Sequence, residues 1–294
     1  MMSNKLPKTI ATFLALVACT LLLHAGGGWP QKKGEGYFKL YEWWVVADQH
    51  YTDRGLLDPN VTTGLYNTSI YAEYGMTSRL TLVGHIPFFS RATVNNVVSS
   101  TSGETLVRGD AINSVGDASF ALKYGLTPGR RISVAPSLTL GLPIGISSGG
   151  RDNNLQTGDG EFNQLIQVDA GMGFLNSSKV PMYANIYVGF NNRTQGYSDE
   201  IRLGGEVGAM FMERRLTAVL RSDVVQSLYN GIASGRVTST STFANNTEYV
   251  SVGLEINYRL KGRWGVSAGM AGAVAGKVIL AAPSYQAGLF FVLD

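Results

Sequence analysis

The sequence predicts an all-β fold: a transmembrane antiparallel up-and-down β-barrel of about 12 strands, with short turns at one rim and long loops at the other. Three observations carry that expectation. Apolar residues recur with period two rather than at helical spacing. The connections between these runs alternate in length. The chain is 45% hydrophobic and only 15% charged, with 36 glycines in 294 residues, yet after Leu23 it has no run long enough for a spanning helix. The same figures exclude a disordered chain and a coiled coil. One cysteine excludes a disulfide framework or a thiolate zinc site.

The elements follow in order. Lys5 and Lys8 precede an apolar run from Ile10 to Leu23, which the small residues Ala25 to Gly28 close. That is the order of a secretory signal peptide, residues 1–25, cut somewhere at 25–27. Leu16-Val17-Ala18-Cys19 also fits a lipobox, which would lipidate Cys19. Against it, Leu21-Leu22-Leu23 continues the apolar run. Removing Lys5 and Lys8 lowers the formal charge from +3 to +1, so net charge offers no argument for nucleic acid. Residues 26–35 read as a short periplasmic segment, and 36–294 as the barrel.

Strands are expected near 36–47, 63–75 and 80–94, the last two joined by the tight link Met76 to Arg79. A long loop, Asn95 to Asp117, leads to strands near 118–126 and 131–145 across the turn Thr127-Pro128-Gly129-Arg130. In the second of these, Ile132, Val134, Pro136, Leu138, Leu140 and Leu142 alternate with small or polar residues. The loop Ile146 to Asn163 enters a strand near 164–174, where Ile166, Val168, Ala170, Met172 and Phe174 alternate with Gln167, Asp169 and glycines. Strands near 181–192, 201–212 and 216–229 follow, the last two across Glu213-Arg214-Arg215. After the loop Gly231 to Thr247, strands near 248–260 and 264–276 flank Lys261-Gly262-Arg263, and 284–293 ends the chain. Lipid leaves no backbone group unpaired, so such strands survive there only in a closed barrel. Gly204, Gly208, Gly253, Gly269 and Gly272 lie inside strands, where they make room for facing side chains.

A family resemblance appears in several short segments. Tyr74-Gly75-Met76-Thr77-Ser78-Arg79-Leu80 is one. Gly116-Asp117-Ala118-Ser119 leading into Ala121-Leu122-Lys123-Tyr124-Gly125-Leu126 is another. Leu138-Thr139-Leu140-Gly141-Leu142-Pro143 and Thr157-Gly158-Asp159-Gly160-Glu161 complete the set. This order resembles the outer-membrane barrel family named after the meta-pathway of phenol degradation. Gly36 to Leu40 through Trp43-Trp44 resembles its Bacteroidetes-type members. The resemblance covers most of the chain after the signal. It implies integration in a bacterial outer membrane and passive uptake of small hydrophobic or aromatic compounds. It carries over no binding residue.

By alternation, Glu73, His85, Lys123, Asp169, Arg202, Glu206, Arg221, Asp223, Glu255 and Arg259 face the lumen. Charges of mixed sign belong there, since mid-depth lipid opposes them. They read either as a salt-bridged filling or as a polar channel lining. Gln286, Gly288, Phe291 and Leu293 fit a C-terminal strand signal for the outer-membrane assembly machinery, although Asp294 rather than an aromatic residue ends the chain. Tyr37, Trp43, Trp44, Tyr66, Tyr71, Tyr74, Phe88 and Phe89 read mostly as interfacial girdles, with one of the two adjacent tryptophans facing inward. His85 is an interior hydrogen-bonding residue, with no nucleophile or acid beside it in sequence. No catalytic residue, metal site or cofactor is expected; Thr157 to Glu161 lacks calcium-loop spacing and reads as a turn. The expected partners are outer-membrane lipid, the assembly machinery and a small apolar cargo. Two alternatives stand beside the channel: a structural or adhesive barrel with a side-chain-plugged lumen, and a barrel enzyme of lipase or protease type.

Overall fold

The computed structural model describes residues 27–232 and 243–294. The expected signal peptide, the Cys19 alternative and the middle of the loop Gly231 to Thr247 lie outside them.

Twelve long strands form the wall: β1 (Gly36–Tyr51), β2 (Leu57–Gly75), β3 (Leu80–Val94), β4 (Ala118–Tyr124), β5 (Ile132–Leu142) and β6 (Asn163–Phe174). The second half holds β7 (Met182–Arg193), β8 (Glu200–Phe211), β9 (Leu216–Ser227), β10 (Glu248–Arg259), β11 (Trp264–Lys277) and β12 (Ser284–Leu293). Each strand pairs antiparallel with its neighbour in sequence. The ring closes because β1 pairs with both β2 and β12, from Gly36↔Leu293 to Val45↔Ser284 on the β12 side. Leu40, Ile70, Leu82, Leu122, Leu138, Ile166, Ile186, Leu203, Leu220, Leu254, Met270 and Leu289 are exposed on the outer face, one from each strand. A belt of this kind suits lipid contact.

The short turns share one rim. Gly129 takes a left-handed φ of 74° in one of them, a conformation open to glycine at no steric cost. Several elements were not legible. β1 and β2 continue past the expected ends as a tall hairpin, so most of the expected loop Asp48 to Thr62 is strand. Asp110–Ser114 pairs with the top of β3, and Val97–Val98 pairs with Thr105–Val107. Ile279–Leu280 leaves β11 and pairs with His50 and Tyr51 of β1.

The described residues of the segment expected to be periplasmic, Gly27 to Glu35, enter the short-turn end of the barrel. The Gly28 N–H donates to Asn185 Oδ1 at 2.8 Å, and Ser133 Oγ donates to the Gly28 carbonyl at 2.7 Å. Trp29 stands edge-on to Tyr183 at 5.8 Å. The Gln31 N–H donates to Thr81 Oγ1 at 2.8 Å. A segment too short to form its own sheet finds partners for its backbone inside the lumen. Gly171 makes the seat: a Cβ there would lie 2.5 Å from the Trp29 ring.

Candidate functional site: the barrel lumen

The lumen divides into two halves of different chemistry. The half nearer the short turns is polar and ionic. At its centre Lys39 Nζ lies 3.0 Å from Glu255 Oε1. Arg221 holds Glu206 at 2.8 Å and reaches Glu255 at 3.4 Å. Gln286 Nε2 donates to Glu255 at 3.0 Å. Around this cluster, Tyr187 donates to Asp223 at 2.6 Å, and Gln167 and Asn185 donate to Asp169 at 2.9 and 3.3 Å. Glu73 is fully buried and accepts from Tyr71 and from Gln31 of the inserted segment. The alternation of β1, β2, β6, β7, β8, β9, β10 and β12 projects the strand residues among these inward. They surround a cavity of about 340 Å³ that Gly27 also lines.

The half nearer the long loops is apolar on one side. Val45, Ala47, Leu65, Ala92, Leu155 and Leu280 form a buried cluster, with Trp43, Val94, Ile112 and Ala282 packed against it. Leu155 comes from the loop between β5 and β6, which a bridge between Gly149 and Leu155 folds back into the mouth. The facing wall is charged. Arg193 bonds Asp159 at 3.1 Å, Glu161 at 2.7 Å and Glu200 at 2.8 Å, and its guanidinium lies over the Tyr197 ring. Arg202 also pairs with Glu200, at 2.7 Å. Asp159 lies in the loop outside the wall. Burial, aided by the neighbouring Asp117 carboxylate, pushes its pKa up to about 6. Burial also raises Glu161. Between the two walls lies a cavity of about 310 Å³, lined by Trp43, Val45, Val225, Ala271, Leu280 and Arg202 among others.

Of the ten residues expected in the lumen, seven lie among the polar groups already described: Glu73, Asp169, Arg202, Glu206, Arg221, Asp223 and Glu255. Lys123 is buried, beside Thr81 in the β3–β4 register. Arg259 sits at the short-turn mouth, 3.6 Å from Asp294. His85 bonds Tyr41 at 2.9 Å, ring against ring. Lys39, Arg193 and Glu200 were missed. Lys39 was legible from the inward phase of β1; Arg193 and Glu200 stand at strand tops, where alternation gives no boundary. Three of the expected girdle aromatics also face inward: Tyr37 against Phe290, Tyr71 against Glu73, and Trp43 at the apolar wall. Trp44 faces out and stacks on Tyr285. A bulge opposite Thr68 and Ser69 lets adjacent Phe88 and Phe89 both stay exposed. Of the residues matched to the assembly signal, Gln286 joins the ionic cluster and Phe291 packs 5.0 Å from Trp264. Gly288 lies against Tyr41, and Leu293 pairs with Gly36. Among the described residues, no group of acidic, histidine or cysteine side chains is arranged to hold a metal.

The lumen also comes close to the outer face. β12 pairs with β11 only from Trp264↔Phe291 to Ala271↔Ser284. Above that point β11 has no strand beside it on this side, and segment 281–283 runs past it instead. An outer pocket lined by Leu220, Val252, Leu254, Met270 and Val274 shares Ala271, Gly272, Ala273 and Ala282 with the inner cavity. A Cβ added at Gly272 would meet only the Pro283 Cα, at 3.6 Å.

No protein family and no curated protein matches the sequence. Solved structures do match in fold. The COG4313 outer membrane channel from Pseudomonas putida F1 superposes with a TM-score of 0.56 at 14% identity, covering 92% of this chain and 100% of that one. The beta domain of the Bordetella autotransporter BrkA does so with a TM-score of 0.50 at 14% identity, covering 88% and 99%. The NanC porin gives 0.49 at 9% identity, covering 87% and 98%. The class is therefore that of outer-membrane β-barrels: all-β, closed, antiparallel and twelve-stranded.

Proposed function

We propose that the chain is a passive outer-membrane channel for small hydrophobic or aromatic molecules, with the long loops outside and the short turns in the periplasm. One observation carries the reading. The cavity under the long loops has an apolar wall, and only small residues, Ala271, Gly272, Ala273, Ala281, Ala282 and Pro283, separate it from the lipid face. Below it, the ion-paired cluster and the inserted segment oppose straight passage of an apolar solute, because desolvated charges offer it nothing. Cargo therefore enters at the loops, rests against Trp43 and Val225, and leaves sideways past Gly272. Binding and release are weak and uncoupled to energy.

The plugged structural barrel draws support from the same ionic cluster. Uptake of an apolar fluorescent dye into proteoliposomes separates the two. The channel reading expects dye entry, and Gly272→Phe, which fills the slot, abolishes it while leaving ion conductance unchanged. Dye exclusion by the folded parent barrel would overturn it. We also propose that Gln286, Gly288, Phe291 and Leu293 act as the assembly signal. Phe291→Ala then slows assembly in cells more than it slows refolding in detergent.

A further inference from the structure

The short-turn rim is a belt of cations, all exposed but the half-buried Arg214. The β2–β3 turn carries Arg79, the β4–β5 turn Arg130 and Arg131, and the β6–β7 turn Lys179. Arg214 and Arg215 occupy the β8–β9 turn, and Lys261 and Arg263 the β10–β11 turn. Lys32 and Lys33 of the inserted segment emerge beside them. Against these stand Glu35, Glu213 and Asp294. Glu35 holds Lys32 at 3.0 Å, and Asp294 holds Arg263 at 2.9 Å. The other end has the opposite sign. Segments 48–62, 95–117, 143–162, 194–199 and 278–283 carry ten carboxylates and three arginines, Arg54, Arg108 and Arg151, with Arg193 of β7 holding Asp159 and Glu161.

The arrangement of the belt selects the partner. Each of the five turns also exposes an apolar side chain within a few residues of its cation: Met76, Leu126, Leu175, Met212 and Leu260. Long cationic stems beside an apolar edge reach for a charged surface just beyond it. A protein partner would need one patch on one side. Here the cations run through every turn around the ring, so the matching ligand surrounds the barrel. We propose that this belt binds the headgroups of anionic phospholipids in the leaflet that meets the short-turn rim. The proposal rests on the membrane reading above. It predicts that each cation reaching the headgroups favours anionic over zwitterionic lipid by up to about fivefold.

Trp264 provides the probe. It is exposed on the lipid face between Lys261 and Arg263 and the belt of outer apolar residues. In a Trp44→Phe background, the barrel is refolded into mixed phosphatidylethanolamine and phosphatidylglycerol vesicles, with bromine on the acyl chains of one lipid at a time. Brominated phosphatidylglycerol should quench Trp264 several-fold more than its bulk share predicts. High salt should remove the excess, as should Arg214→Gln/Arg215→Gln/Lys261→Gln. Equal quenching by both lipids in an inserted, protease-resistant barrel overturns the proposal. So does salt-sensitive retention of a polyglutamate peptide without lipid preference, which would point to an acidic protein instead. Failure to insert into either vesicle counts against the membrane reading and is distinguished by the protease test. Should the triple variant misfold, the salt series on the parent barrel decides alone.

Discussion

The two halves of the lumen solve one problem in opposite ways. Each must fill a ring too wide for its own backbone. The short-turn half narrows it with ions and the inserted segment: Lys39 and Arg221 hold Glu255 and Glu206 around a polar cavity of about 340 Å³. The long-loop half fills one side with hydrocarbon, drawing Leu155 from a loop onto Leu65 and Leu280. Ion pairs give direction and register but tolerate loss of a partner poorly. An apolar wall tolerates exchange of its occupant, because dispersion and hydrophobic contact are non-directional. The difference separates a part held by directional pairs from a part held by non-directional contact.

The comparison breaks hardest at the ionic cluster. Glu255→Leu keeps the volume but removes the carboxylate partner of Lys39, while Arg221 keeps Glu206, and is expected to cost about 3 kcal/mol. Urea unfolding in vesicles measures it, and a change below about 1 kcal/mol would mean that lumen water already screens the cluster. In the upper half, Leu155→Ala should cost about 3 kcal/mol for the cavity it leaves. It should also loosen the β5–β6 loop to protease while leaving the short-turn end protected. Next comes Gly171→Leu, which drives a side chain into the Trp29 ring and should cost about 2 kcal/mol by overpacking. Expulsion of the inserted segment then appears as larger single-channel current, with apolar dye uptake little changed.

The smallest effect is in pH. Asp159 has a folded value of about 6, above its free value of 3.8, so the protonated form favours the seated loop. That stabilisation is complete below about pH 4 and is lost as pH rises through about 6. Proteolysis of segment 143–162 should therefore be slower at pH 5 than at pH 7.5, and Asp159→Asn should flatten the difference.

The wall was legible in the sequence because alternation is a local property. Val250 to Leu260 announces both a strand and its two faces without knowledge of any neighbour. The lumen charges followed from the same phase, Arg221 and Glu255 included. What escaped was non-local. Nothing in Gly27-Gly28-Trp29-Pro30 states that Asn185 and Ser133 will complete its hydrogen bonds. Leu155, inside a polar stretch, gives no hint that it belongs to a core formed by β1 and β2. The slot beside Gly272 arises where two ladders part, and pairing partners are not written in either strand alone.

The inserted segment has a consequence for the order of events. Gly28 finds its partner 157 residues further along the chain, and Ser133 lies 105 residues away. Contacts of such separation form late, since the intervening chain must first lose its freedom. The ring itself closes only when β12 meets β1. The residues that lead the described chain thus settle among the last. A nascent barrel passes through a stage in which its wall is curling but its lower lumen still stands empty, and the ionic cluster there must wait for water to leave.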